Sequence, residues 1–296
     1  MKYLSVTEIA KKWNMAERSV RNYCALGKID GAFLTGKTWN IPEDAAKPER
    51  INKKVIKTET LLDVLQLEKN SKVSGGIYHK VQIDLTYNSN HIEGSCLTHD
   101  QTRYIFETNT IGIDNKTINV DDIIETTNHF KCIDMVIEAA KRPISESFIK
   151  ELHRTLKSGT TDGRLDWFAV GDYKKLPNEV GGNETVLPEQ VSPVIKKLIA
   201  EYNLIEEKTL DDILDFHYQF ESIHPFQDGN GRVGRLLMFK ECLKYNIVPF
   251  IIDEDLKMFY YRGLKEWKKE KGYLRDTCLS AQDKFKINLD YFKIPH

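Results

Sequence analysis

From about residue 58 onward, apolar residues recur every three or four positions, and this spacing confines most of the chain to a mainly α-helical fold. It runs through LLDVLQL, IYHKVQIDLTYNSNHI and DDIIETTNHFKCIDMVIEAA, then FIKELHRTL, VIKKLIAEYNLI, LDDILDFHYQFESI and VGRLLMFKECLKY. Each run puts an apolar stripe on one side of a helix, and that stripe must be covered by a neighbour. One stretch, Phe168 to Pro188, breaks the pattern with Gly171, Pro177, Gly181 and Gly182 and with short β-compatible pieces, FAV and ETVL. A hairpin-like flap on an otherwise helical body is expected there. The chain has 296 residues with a 41% apolar share, enough for a sizeable core and, at about 150 residues per domain, for two domains.

The boundary is expected around residues 42–58, where prolines and charges crowd together and apolar residues thin out. That gives a first domain over 1–48, a linker over 49–57 and a second domain over 58–296. In the first, Ser5 and Glu8 form a capping box that opens a helix from Val6 to about Trp13. A turn at Asn14 and Met15 leads to a second helix, Glu17 to Leu26, stopped by Gly27, and AFLTGKTWNI then reads as two strands around Gly36-Lys37. Helix, turn, helix and hairpin is the order of a winged helix-turn-helix, and the segment resembles small DNA-binding domains of the excisionase and MerR type. The resemblance places the second helix in the major groove of duplex DNA, with Arg18, Ser19, Arg21 and Asn22 facing outward and Lys37 on the wing near phosphate. Residues 1–57 carry twelve Lys or Arg against six Asp or Glu, an excess of +6, leaving −7 for the remainder of a chain of net charge −1. The excess suits a nucleic acid; an interaction module of the same fold that docks protein is the alternative.

Five scattered cysteines without a C-x-x-C pair point to a reducing compartment rather than a disulfide framework or structural zinc. The N-terminal MKYLSVTEIAKKW lacks the apolar block of a signal peptide, and no window approaches a membrane span. A cytoplasmic location is expected.

The chemistry concentrates in residues 224–235, HPFQDGNGRVGR. A glycine-rich loop running into a helix presents free N–H groups at the positive end of the helix dipole, which is a phosphate site. It is not a P-loop, since no G-x-x-x-x-G-K-(S/T) occurs. Arg232 and Arg235 are three apart on one helical face and can both reach anionic oxygens. His224, with an ordinary pKa of about 6.5, suits proton transfer, and Asp228 offers a hard oxygen to Mg²⁺ beside the phosphates.

This stretch resembles the Fic family signature, H-P-F-x-(D/E)-G-N-G-R-x-x-R, and matches it at every specified position. The resemblance runs from roughly residue 80 to 270: VGDYK, the following glycine pair and LPEQV are similar to the family's flap, FHYQFESIHPF to the helix that delivers the histidine, and FYYRGLKEW to a helix bordering the nucleotide. An N-terminal helix-turn-helix also occurs among bacterial members. The resemblance implies a Fic-type helical core and transfer of AMP from ATP to a Tyr, Ser or Thr hydroxyl of a target protein, with the chain itself as one such target. By it, His224 deprotonates the hydroxyl, and Asp228 positions Mg²⁺ across the α- and β-phosphates. Gly229, Asn230 and Gly231 supply the anion hole, with the Asn230 side chain adding a donor, and Arg232 and Arg235 hold the outer phosphates. Phe226 anchors the loop inward and Pro225 stiffens it. The flap, around Lys174 to Gly182, pairs with an extended target segment, although Lys174, Lys175 and Pro177 depart from the more apolar flaps expected. Tyr260 and Tyr261 either contact adenosine or, at helical spacing, place one ring in the core.

SNHIEG matches the family's inhibitory pattern, (S/T)-x-x-x-E-(G/N), through Ser89, Glu93 and Gly94. Ser89 and Glu93 share a helical face, Gly94 suits the helix end, and a carboxylate delivered to Arg235 would form a bidentate pair where the γ-phosphate belongs. His217 and His153 read as packed, hydrogen-bonded core histidines and His91 as a surface one. Two other function classes stay open. One is a close chemical relative, either a hydrolase removing AMP or a transferase of another phosphate-linked group. The other is a DNA-binding regulator with a vestigial Fic body, against which the unbroken motif argues. Whether the chain forms a homo-oligomer is not read from the sequence.

Overall fold

The computed structural model describes residues 2–48, 60–112 and 117–296. Two compact units divide between residues 57 and 58. The expected linker, 49–57, lies outside the described residues.

The first unit runs β1 (Tyr3–Leu4), α1 (Val6–Trp13), α2 (Glu17–Ala25), β2 (Phe33–Thr35) and β3 (Thr38–Pro42). The capping box forms: the Ser5 hydroxyl accepts from Glu8 N–H, and the Glu8 carboxylate accepts from Ser5 N–H at 2.8 Å. Gly36, at φ 60°, allows the tight turn between β2 and β3. β1 adds antiparallel to β3, so the sheet has three strands in the order β1-β3-β2. Val6, Ile9, Trp13, Val20, Cys24 and Ile41 form the core of this unit.

The second unit is mainly helical: α3 (Leu61–Asn70), α4 (Ile77–Ile92), α5 (His99–Thr108), α6 (Val120–Glu138), α7 (Glu146–Lys157), a short 3-10 turn (Thr161–Arg164), β4 (Glu179–Val180), β5 (Asn183–Glu184), α8 (Pro188–Leu204), α9 (Leu210–Ile223), α10 (Asn230–Lys244), α11 (Glu254–Glu266) and α12 (Gly272–Phe292). The interruption at 168–188 does contain a hairpin, β4–β5, but a short one. The expected FAV strand does not form, because Phe168 turns inward and stacks near His153 instead of pairing along a sheet.

α10 is the axis of this unit. Val233, Leu236, Leu237, Met238, Phe239, Cys242 and Leu243 are all buried, so it is covered on every side, as a central helix is. α9, α6, α4, α7 and α3 pack around it. α10 also buries Arg232, Arg235, Lys240 and Glu241, each of which needs a partner to offset desolvation. Lys240 and Glu241 find structural ones: Lys240 donates to Arg142 O at 2.6 Å and pairs with Glu241, which accepts from Tyr202 Oη. The two arginines, at the N-terminal end, belong to the site.

Candidate active site

The site is built on the loop between α9 and α10. α9 ends at Ile223, and His224 follows in the left-handed region, φ 51° and ψ 63°, which turns the chain sharply out of the helix. Asn230 closes the loop: its Oδ1 accepts from Phe226 N–H and its Nδ2 donates to Phe226 O, both at 2.8 Å. This differs from the sequence expectation of a side-chain donor for phosphate. Both ends of the Asn230 amide are committed within the loop, which leaves the backbone N–H groups of the first turn of α10 to meet an anion. Phe226 is buried and stacks on His153 with centroids 3.9 Å apart, so it does point inward. His153 accepts from Gly171 N–H at Nδ1, which leaves Nε2 protonated to donate to Asp228 O at 3.2 Å. It is a packed core histidine as expected, and it also holds the loop from beneath.

Burial, reinforced by the Lys174 ammonium, pushes the His224 imidazole down to about 4. At neutral pH it is an unprotonated base.

A charge cluster surrounds Asp228. Lys157, at the end of α7, is buried with its ammonium on Asp228 Oδ2 at 2.7 Å, on Asp162 at 2.6 Å and on Glu125 of α6. Arg232 donates to Asp228 Oδ2 at 3.1 Å and to Glu125. Burial pushes the Asp228 carboxyl up, but Arg232 and Lys157 outweigh it and hold the group down at about 2. Both cations use Oδ2, and 47% of the side chain remains exposed, so an ionised carboxylate still meets solvent. Mg²⁺ typically takes one or two protein carboxylates and completes its shell with phosphate oxygens and water. Asp228 fits that role, with Glu125 and Asp162 near enough to share it. Arg232, expected on the outer phosphates, is engaged instead in holding Asp228 and Glu125.

Arg235 is paired across to α4. Its Nη2 donates to Glu93 Oε1 at 2.6 Å and to Ser89 O at 2.9 Å, and its Nε donates to Ser89 Oγ at 3.0 Å. Arg235 therefore meets both Ser89 and Glu93, and the guanidinium is divided between them instead of gripping both carboxylate oxygens. Burial opposes the Arg235 charge, and Glu93 more than restores it. Glu93 caps α4, and Gly94, at φ 98°, turns the chain away. The Glu93 carboxylate overlies the first turn of α10 so closely that a Cβ at Gly231 would collide with it.

Tyr260 is the ring of the pair that enters the core. It is 1% exposed, and its hydroxyl meets His217 Nε2 at 2.6 Å, which makes both members of the core. Tyr261 is half-exposed and donates to Ile92 O at 3.3 Å, near Glu93. His91 bonds Ser95 O and Glu254 at the surface. The flap is tied to the loop between α9 and α10 by residues that carried no sequence signal for it. Lys174 N–H donates to Pro225 O at 2.9 Å, and Asn178 Nδ2 to Phe226 O at 3.0 Å. Lys157, Glu125, Asp162 and His153 were likewise not readable as site residues, because only the packing of α6 and α7 against α10 brings them there. In the first unit, Arg18, Arg21, Asn22 and Lys37 are exposed, Ser19 is half-buried, and Arg21 leans on Glu17 at 3.5 Å.

Fold and site together define a helical domain in which a glycine-rich helix N-terminus and a neutral histidine lie on one loop, tied to a hairpin flap. Residues 143–242 match the Fic/DOC family model. The chain is 31% identical over 183 residues to the protein adenylyltransferase Fic of Drosophila sechellia and, equally, to that of Drosophila melanogaster; the match covers 60% of this chain and 36% of each relative. It thus spans about a third of the length of these curated relatives. A Fic domain containing signaling protein from Bacteroides thetaiotaomicron superposes with a TM-score of 0.59 at 27% identity, covering 78% of this chain and 90% of that one. A Fic family protein from Desulfovibrio desulfuricans shares the fold, with a TM-score of 0.58 at 20% identity over 79% of this chain and 75% of that one. Among the described residues no helix is long and apolar enough to cross a membrane.

Proposed function

We propose that this protein is a protein adenylyltransferase that transfers AMP from ATP to a Tyr, Ser or Thr hydroxyl of a target protein, in an AMPylation reaction restrained by Glu93. The observation that carries the reading is the closed loop: Asn230 binds Phe226 at both ends of its amide, so His224 and the anion-accepting turn of α10 stand in one rigid unit. A neutral His224 accepts the hydroxyl proton as the oxygen attacks the α-phosphorus, and the bond from that phosphorus to the β-bridging oxygen breaks to release pyrophosphate. The N–H groups of Gly229, Asn230 and Gly231 bind phosphate oxygens, and Gly231, lacking a side chain, allows close approach. Asp228 would hold Mg²⁺, which offsets charge on the departing pyrophosphate. Arg235 is the outer-phosphate ligand once Glu93 yields it, and the position of Tyr261 beside Ile92 and Glu93 supports a role for it bordering the nucleotide.

A second reading draws on Glu93 itself. A carboxylate overlying the first turn of α10 could orient water for removal of AMP from a modified target. Intact-mass analysis after incubation with ATP and Mg²⁺, alone and with host lysate, tests the main reading. A mass gain of one AMP supports it, and tandem fragmentation locates the residue, whether on this chain or another; no gain in the Glu93→Gly variant opposes it. For the first unit we propose duplex DNA as partner, supported by the exposed Arg18, Arg21, Asn22 and Lys37.

A further inference from the structure

We infer that Lys174 is a positioning residue that ties the flap to His224, so that the segment receiving the target hydroxyl and the base deprotonating it keep a fixed separation. The inference rests on the adenylylation reading above.

Lys174 is 3% exposed, yet its three ammonium bonds all go to neutral oxygens: Thr185 Oγ1 at 2.6 Å, Asn178 Oδ1 at 2.7 Å and Ile223 O at 3.3 Å. Two other buried lysines of this unit sit on or beside carboxylates, Lys157 and Lys240, while Lys208 likewise meets neutral oxygens, Ile205 O and Tyr245 Oη, but lies away from the loop. Burying a charge without a counter-charge is costly, and an apolar side chain of the same length would fill the space without that cost. What makes the ammonium tolerable is Ile223 O, the last carbonyl of α9 and so the negative end of a helix dipole.

What the lysine adds is a set of directed bonds spanning two segments. Its side chain holds the carbonyl of Ile223, just before His224, and its main-chain N–H holds that of Pro225, just after. Asn178 and Thr185 stand at the two feet of the β4–β5 hairpin, where Thr185 Oγ1 donates to Asn178 O at 2.9 Å. Asn178 then reaches on to Phe226 O, and Leu176 N–H donates to Gln227 Oε1 at 3.2 Å. Lys174 is where these two sets of bonds meet. A displacement of about 1 Å between base and hydroxyl costs about a hundredfold in rate, so a rigid join here has catalytic value.

The join also has an electrostatic consequence. The charged groups that act on His224 are Lys174 from the flap, Glu93 from α4 and Asp228 from the loop, and the Glu221 backbone of α9 also favours its protonated form. Lys174 is the cation of that set, and removing it lets the imidazole bind a proton at higher pH.

The test compares Lys174→Met, and as a milder variant Thr185→Val, with the parent chain, each also in a Glu93→Gly background. Hydrogen–deuterium exchange should quicken together in residues 172–186 and 223–227 of Lys174→Met, by about tenfold, while α10 stays protected. In the Glu93→Gly background kcat for transfer should fall about ten- to a hundredfold with ATP affinity within about twofold, and the acidic limb of the pH profile should move to higher pH. Thr185→Val should change the same readouts in the same direction by less, and it carries the test should Lys174→Met not fold. Unchanged exchange in both segments, or faster exchange in the flap alone with only KM affected, overturns the inference. A Glu93→Gly protein that transfers no AMP at all refutes the adenylylation reading instead, and exchange then still decides whether Lys174 joins the two segments.

Discussion

Replacing Glu93 with glycine should raise the rate of the proposed AMP transfer. Arg235 makes three bonds to α4, and Glu93→Gly removes the one to Oε1 at 2.6 Å while leaving those to Ser89 O and Ser89 Oγ. A hydrogen bond between charged groups contributes about 1.5–3 kcal/mol net. With 28% of the Glu93 side chain in solvent, the lower end applies, and about 1.4 kcal/mol corresponds to about tenfold in rate. Clearing the carboxylate from above Gly231 adds room for phosphate, so tenfold is a floor. The assay is the initial rate of α-label transfer from ATP with target in excess. Ser89→Ala, which removes one bond of three, should accelerate by about two- to fivefold, and Glu93→Gly combined with His224→Ala should be inactive. Lost hydrolysis would also raise the label, but at the plateau and not in the first turnovers. Initial rates for wild type and Glu93→Gly that agree within twofold refute the argument.

Three further outcomes follow from the geometry. Because His224 is held down at about 4 and acts unprotonated, kcat/KM should stay level from pH 7 to pH 5 and fall only on further acidification; a histidine near its ordinary ~6.5 would already have lost about thirtyfold at pH 5, and a limb centred there contradicts the assignment. Asn230→Ala strips both loop bonds from a buried position, which should destabilise by about 1–3 kcal/mol and lower Tm by about 2–10 °C in thermal melts, with transfer reduced as well. The first unit should retard duplex DNA in mobility-shift assays with affinity falling steeply as salt rises, and a chain lacking residues 1–50 should not; no retardation on any fragment at low salt favours a protein partner.

The helical body and the catalytic loop were legible because their signals are local. Apolar spacing marks a helix within two turns, and HPFQDGNGRVGR carries base, anion loop and arginines in twelve consecutive residues. Ser89 and Glu93 were legible only through the resemblance of SNHIEG to a family pattern, and how Arg235 divides its bonds between them depends on the angle at which α4 meets α10. α12 gave a weaker signal, since its buried face includes Thr277, Cys278, Ala281 and Gln282 among the apolar residues. Long-range partners outside that pattern gave none. Lys157 and Lys174 look like solvated charges in the sequence, and only the fold surrounds one with carboxylates and the other with carbonyl, amide and hydroxyl oxygens. Tyr260 and Tyr261, adjacent on one helix, necessarily point in different directions, and which one entered the core was decided by His217 on α9.

The most direct measurement of the central claim incubates the Glu93→Gly chain with Mg²⁺ and ATP labelled in parallel at the α or the γ position, with and without host lysate. The account predicts protein-bound label from the α position alone, abolished by adding His224→Ala. Label arriving from the γ position, or α-label that persists without the His224 imidazole, contradicts it.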